Sequence, residues 1–291
     1  MFTQTKHTLK RLRYAMRRMR AARRWGADRL DAMPAVLGNA MPKSGSHLLT
    51  QVLSGLAELG PFVDPGFPPV NRGEDNRKLT DAAVLRAVNG MLPGEIRYGY
   101  LHAAPPWVPT VTGPGRATVF IYRDPRDWVV SQVFYATDMH EGHMLHDYYN
   151  SLNTIEARIN AAIEGVDVPG VRAPSVAERY GHYLGWLEVP GVLCVKFEDL
   201  IENRKPVLSG AKDRKSAIGD ILDYLETFNF KPSTPRTEAI AILERGIAPG
   251  KSGTFRRGTP GEWKEQFTEE NRRRFERVAG DLARKLGYVD L

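Results

Sequence analysis

Short apolar runs alternate along this chain with longer stretches whose apolar positions recur every three or four residues. Ala35 to Ala40 reads as a buried first strand, and an apolar-periodic helix follows from about His47 to Leu59. Ile96 to Leu101 and Ala117 to Tyr122 are two further strand candidates, the second made clear by Val119, Phe120 and Ile121. Asp124 reads as a helix N-cap, Pro125 as the first helical residue and Asp127 as an acid near the positive helix end. That helix continues through Val129, Val130 and Val133. Residues 138–188 are mostly helical by pattern, broken by Gly and Pro near 165–174. Gly191 to Val195 reads as another strand, 215–229 and 235–245 as helices, and Glu269 to Leu286 as a last amphipathic helix. Stretches rich in Gly or Pro at 61–76 and 246–262 read as loops. Strands separated by helical segments predict an α/β fold, a parallel sheet flanked by helices on both faces.

Ahead of this block, Leu9, Leu12, Met16 and Met19 are spaced to lie along one face of a helix. Residues 1–27 carry nine basic side chains (Lys6, Lys10, Arg11, Arg13, Arg17, Arg18, Arg20, Arg23 and Arg24) and no acid. The chain as a whole is +7, but without those nine, 32 basic residues face 34 acidic ones. The basicity therefore belongs to an arm over 1–33 and not to the single domain expected over 34–291, which speaks against a nucleic-acid-binding surface. Four destinations stay open for the arm: its own domain, a sister subunit in a homo-oligomer, an anionic membrane surface met through residues 6–24, or an acidic partner or substrate. Apolar and charged fractions of 42% and 26% suit a soluble globular protein. One cysteine, Cys194, allows no intrachain disulfide. With neither a spanning segment nor the apolar core of a secretory signal, the expected location is cytoplasmic.

Candidate chemistry starts at Pro42-Lys43-Ser44-Gly45-Ser46-His47, between a strand and a helix. A turn there aims backbone N–H groups and the positive helix end at one spot. Gly45 permits close approach, Ser44 and Ser46 add hydroxyl donors, and Lys43 adds a mobile charge, a set suited to phosphate or phosphosulfate. No Walker A frame fits these residues. Gly246 to Ser252 imitates one, with a residue too few between its glycines and no strand before it. The second element is Arg123, just past a strand, with Ser131 two helical turns on; a guanidinium fork and a hydroxyl can grip a phosphate from two sides. Arg123 could equally pair with Asp127 across the helix start. A third element runs from Phe255 to Thr268, where Arg256, Arg257, Gly258 and Gly261 make a cationic loop that Trp263 and Phe267 can pin to the body.

Taken together and in this order, the three segments resemble the sulfotransferases that use 3′-phosphoadenosine 5′-phosphosulfate (PAPS). That family has a P-K-S-G-T-T-W loop for the 5′-phosphosulfate, an R-x-P-x-D…S motif for the 3′-phosphate, and a C-terminal R-K-G-x-x-G-D-W-K-x-x-F-T signature. Here Arg257 stands for its Lys and Glu262 for its Asp. The resemblance implies a P-loop-like α/β fold and sulfuryl transfer to a hydroxyl or amine by in-line displacement without a metal, leaving 3′-phosphoadenosine 5′-phosphate (PAP). It implies that Lys43, helped by Ser44, Gly45, Ser46 and His47, binds the 5′-phosphosulfate, and that Arg123, Ser131, Arg256, Arg257 and Gly258 hold the 3′-phosphate. His102, in Gly99-Tyr100-Leu101-His102, takes the place of the catalytic base. Leu48 replaces a tryptophan that stacks on adenine in many relatives, so adenine contact is expected of Phe197, in Lys196-Phe197-Glu198-Asp199. The acceptor is a small molecule, a glycan or a lipid headgroup, its pocket built from loops 61–95 and 138–175.

Two other function classes are compatible with such a loop: a P-loop nucleotide kinase, which needs Mg²⁺ and a Walker lysine, and a non-catalytic nucleotide-binding scaffold. His140, His143 and His146 are spaced by three, which drifts around a helix and fits a lid or acceptor wall better than a metal site.

Overall fold

Four parallel strands carry the molecule, β1 (Ala35–Ala40), β2 (Ile96–Gly99), β3 (Arg116–Tyr122) and β6 (Val192–Lys196), in the spatial order β2-β1-β3-β6. The structure is a computed structural model that describes residues 2–64, 69–73, 77–201, 212–248, 250 and 256–288, with backbone alone for 2–12. The first strand pairs with β2 on one side and β3 on the other, so the order reverses at β1. An open parallel sheet opens its ligand crevice at such a point, beyond the strands' C-terminal ends. Register places Ala40 of β1 opposite Ile121 and Tyr122 opposite Lys196. The loop after Ala40, Arg123 and Phe197 therefore all leave the sheet along one edge.

Alternation along each strand sorts side chains to two cores. Val36, Ala40, Val119 and Ile121 face a layer built from the helices Ser46–Ser54, Arg214–Glu226 and Arg236–Arg245. Leu37 and Phe120 face the opposite layer, from Pro125–Phe134, Ile155–Glu164, Val176–Leu184 and Glu269–Lys285. Helices on both faces of a parallel sheet is the expected α/β architecture.

Three local readings are corrected. The helix expected over 47–59 is two, Ser46–Ser54 and Leu56–Leu59, broken at Gly55, where a Cβ would come within 2.6 Å of Leu243. The break at 165–174 holds a two-stranded hairpin, β4 (Val166–Val168) with β5 (Val171–Ala173), too short to show period-two alternation. The arm is helical from Phe2 to Trp25, but Met16 and Met19 are 45% and 53% exposed. The other face meets the body: Ala21 packs with Leu30 and Val63, and Arg18 donates to the Pro93 carbonyl and to Asp31, both at 2.6 Å. Long arginine side chains and small alanines hold the docked face where the apolar spacing pointed to methionines. Leu9 and Leu12 have side chains outside the described residues. Among the described residues, no helix is long and apolar enough to cross a membrane.

Candidate active site

Backbone conformation shapes the loop after β1. Lys43 and Gly45 both adopt positive φ, 71° and 98°, which turns the chain tightly onto the helix Ser46–Ser54. A Cβ on Gly45 would lie 2.4 Å from the Phe197 ring, so glycine is required on both counts. Ser44 is fully buried, and Ser46 shares a hydrogen bond with the Tyr100 hydroxyl at 3.0 Å. The Lys43 ammonium rests 3.6 Å from the centre of the Tyr135 ring. Burial first, then the charges of Arg123 and Arg256, bring its pKa down to about 8. Partial burial and Lys43 likewise hold His47 below the usual histidine range.

Arg123 sits beyond β3, buried, with its guanidinium 4.5 Å from the Phe197 ring and its carbonyl accepting from the Tyr180 hydroxyl at 2.8 Å. Its Nε has no hydrogen-bond partner among the described residues. Asp127 is not its mate: that carboxylate accepts the N–H groups of Gly261 at 2.7 Å and Trp263 at 2.9 Å, tying the C-terminal loop to the helix Pro125–Phe134. Asp124 caps that helix, accepting from the Arg126 N–H at 2.8 Å, and pairs with the Arg126 guanidinium. Ser131 lies partly open on the same helix.

The tie through Asp127 brings the last cations in. The Arg256 guanidinium lies 4.0 Å from the Phe134 ring, and Phe134 precedes the Tyr135 that covers Lys43. Arg256 and Arg257 also reach Glu262, at 2.5 and 3.6 Å. Gly258 has φ 60°. Phe255 and the imitation frame's Lys251 and Ser252 lie outside the described residues.

His102 follows β2 with its imidazole stacked on His182, centroids 4.8 Å apart and 13° between planes, and edge-on to Tyr183 at 5.0 Å. Burial, then His182 and Lys78, hold its pKa below 6.5 against the opposing pull of Asp81. The Phe197 ring is buried against Gly45 and beneath Arg123, and so floors the arginine. His140 and His143 pack edge-on against each other and against Tyr135. His143 Nδ1 accepts the Leu145 N–H at 3.1 Å and its Nε2 shares a hydrogen bond with the Gln132 amide at 3.2 Å, while His146 donates to the Ala136 carbonyl at 2.8 Å. Burial and the cations around it push His143 down to about 4. Among the described residues, no group of three or more His, Cys, Asp or Glu is placed to hold a metal ion.

Sequence reasoning missed Asn39, Tyr135, Tyr180, His182 and Glu198. Asn39 left a signal, a polar residue inside an apolar strand. Glu198 is buried, accepting from the Asp124 N–H at 3.0 Å and the Tyr288 hydroxyl at 2.7 Å. Tyr135 begins a single π-helical turn, Tyr135–Met139, a local widening that no residue spacing announces.

The site can therefore gather cations from three segments around a backbone cradle, with an imidazole at the neighbouring strand end. Comparison with known proteins gives a family and a fold. A family model described as a sulfotransferase domain matches residues 116–287, more than half of the chain. No curated protein matches. Among solved structures, the chain is similar to mouse sulfotransferase SULT7A1 complexed with PAP, at 17% identity over 89% of this chain and 88% of that one, TM-score 0.57. It is also similar to retinol dehydratase in complex with androsterone and inactive cofactor PAP, at 16% identity over 87% and 83%, TM-score 0.53. At such identities the likeness is one of fold.

Proposed function

The chain belongs to the sulfotransferase family, and from that premise we propose that it takes its sulfuryl group from PAPS and delivers it to a hydroxyl or amine acceptor. The observation that carries the choice of donor is the convergence of Lys43, Arg123 and Arg256. Adjacent rings of one helical turn, Phe134 and Tyr135, lie against Arg256 and Lys43. Arg123, buried beside them, has a nitrogen that nothing in the described protein satisfies. A buried guanidinium left this way calls for an anion. The backbone cradle at Gly45 suits a second one.

When bound, PAPS supplies an activated sulfuryl group. Ser44, Gly45, Ser46 and His47, at the helix start, hold its 5′ end, while Arg123, Ser131, Arg256, Arg257 and Gly258 hold the 3′-phosphate. Lys43 neutralises charge at the 5′-phosphate side. The imidazole of His102 takes the acceptor's proton, a role favoured by the burial and the His182 charge that hold its pKa below the usual histidine value. Charge stabilisation thus comes from side chains already in place, and a Walker frame is absent from the loop that a kinase would use. The acceptor is a small molecule, a glycan or a lipid headgroup.

Binding of PAP and of ATP with Mg²⁺, measured side by side, tests the donor, followed by transfer of labelled sulfate from PAPS to a panel of acceptors. PAP is expected to bind at least tenfold tighter than ATP with Mg²⁺. The reverse order sinks the reading.

A further inference from the structure

Arg179 is a half-buried arginine whose Nε is itself shut from solvent and left over. It stands on the helix Val176–Leu184, and its Nε, like that of Arg123, has no hydrogen-bond partner among the described residues. No described carboxylate pairs with it. Arg126, by contrast, is paired with Asp124, and Arg256 with Glu262. Its guanidinium lies 5.4 Å from the Trp128 ring, and Trp128 Nε1 donates to the Pro42 carbonyl at 2.7 Å, immediately before Lys43. One turn along the same helix face, Tyr183 sits edge-on to His102. Arg179 is therefore bracketed by the two ends of the reaction centre, the Lys43 loop and the His102 imidazole. Tyr149, Tyr183 and His143 lie within range of its charge.

We propose that Arg179 is an anion subsite of the acceptor cleft, so that the acceptor carries a carboxylate, sulfate or phosphate group beside the hydroxyl that receives the sulfuryl group. This rests on the function proposed above. The nucleotide's own anionic groups have Lys43, Arg123 and Arg256, whereas Arg179 lies on the His102 side, among tyrosine rings. Four residues of helix separate Arg179 from Tyr183, about 6 Å of rise, so one helix face carries both Arg179 and the ring that packs on His102. A guanidinium favours such a planar or tetrahedral oxyanion over a neutral group of the same shape.

The test is calorimetric binding of a matched pair of phenols, 4-hydroxyphenylacetate and 4-hydroxyphenylacetamide, to the PAP complex of the native protein and of Arg179→Gln and Arg179→Lys. The carboxylate is expected to bind native protein about tenfold tighter than the amide or more. That ratio falls to near one in Arg179→Gln and is partly kept in Arg179→Lys, with PAP affinity unchanged throughout. Equal binding of the two phenols by native protein, binding of neither, or a ratio that survives Arg179→Gln overturns the proposal. So does loss of PAP affinity in Arg179→Gln with PAP affinity kept in Arg179→Lys, because the guanidinium's charge then serves the nucleotide. If native protein fails to bind PAP, the donor assignment falls, and the carboxylate-to-amide ratio without nucleotide still decides the subsite.

Discussion

Asn39, buried in the second strand of the sheet order, holds the backbone of Leu101 by both its polar groups: its amide nitrogen donates to the Leu101 carbonyl at 3.0 Å and its side-chain oxygen accepts the Leu101 N–H at 2.8 Å. The Leu101 carbonyl also accepts from Trp186 Nε1 at 2.8 Å. His102 is the next residue, so β1 fixes where the imidazole starts. Replacing Asn39 by Ala strips a buried backbone N–H of its partner and is expected to cost about 1–3 kcal/mol of stability. Thermal unfolding measures that cost, and turnover should fall while PAP affinity changes less than about threefold. An unchanged melting temperature removes the anchor from its role.

His102→Ala should lower turnover by about 10²–10⁴, the usual worth of a positioned general base, and leave PAP binding nearly intact. In the native enzyme the pH–rate profile of kcat/KM should show an acid limb below 6.5, since burial and His182 disfavour the imidazolium of His102. Near-native rates in the variant would shift the base elsewhere.

Lys43 gives a prediction that needs no turnover. Its ammonium, depressed to about 8 by burial and neighbouring cations, is partly deprotonated near pH 8.5. An anion against it restores the ordinary range near 10.5, so PAP binding at pH 8.5 should take up a proton. Calorimetry in two buffers of different ionisation enthalpy reads that uptake directly, and Lys43→Met should abolish it. For the free protein the sign follows from the unfolded state holding the proton more tightly. The lysine's contribution to stability therefore rises as pH climbs from 8 towards 10.5. Identical calorimetric heats in both buffers would contradict the assignment.

Gly45→Ala should fail at the cradle. The added Cβ meets Phe197 at 2.4 Å, and φ of 98° is costly for any side chain. Relief means displacing the Phe197 ring, and Arg123 lies on that ring. PAP affinity should drop by at least tenfold even where the variant stays folded by circular dichroism, because both anion-binding elements shift at once.

What the sequence disclosed and what it hid divide along a physical line. Apolar periodicity reports which residues face a core, so β1 over Ala35–Ala40, the Asp124 cap and the last helix were all legible to within a residue or two. Lys43, Arg123 and Arg256 were legible as candidates because chemistry of that type clusters at strand ends and in glycine-rich loops. Partners brought together by folding were not. Tyr135 over Lys43, His182 against His102 and Asn39 against Leu101 are contacts between segments, and no local spacing encodes them. Phe197 is legible as an aromatic in the right motif, whereas its packing against Gly45 and Arg123 is again a contact between segments.

Glu198 supplies the last test, and it concerns the floor of the site. This carboxyl is buried below Arg123 and beside Asp124; burial, then the Asp124 charge, raises its pKa to about 7. The folded state thus keeps a proton that the unfolded chain releases near 4.5. Between those values the unfolded state binds fewer protons, and stability from this group falls as pH rises. Glu198→Gln keeps an oxygen for the Asp124 N–H and an amide that the Tyr288 hydroxyl can accept from, while removing the titration. Chemical unfolding at pH 5 and pH 8 should therefore show the variant gaining on the native protein as pH rises. A difference that is constant across the two pH values would mean that Glu198 is ionised in the folded state throughout, held so by Arg123.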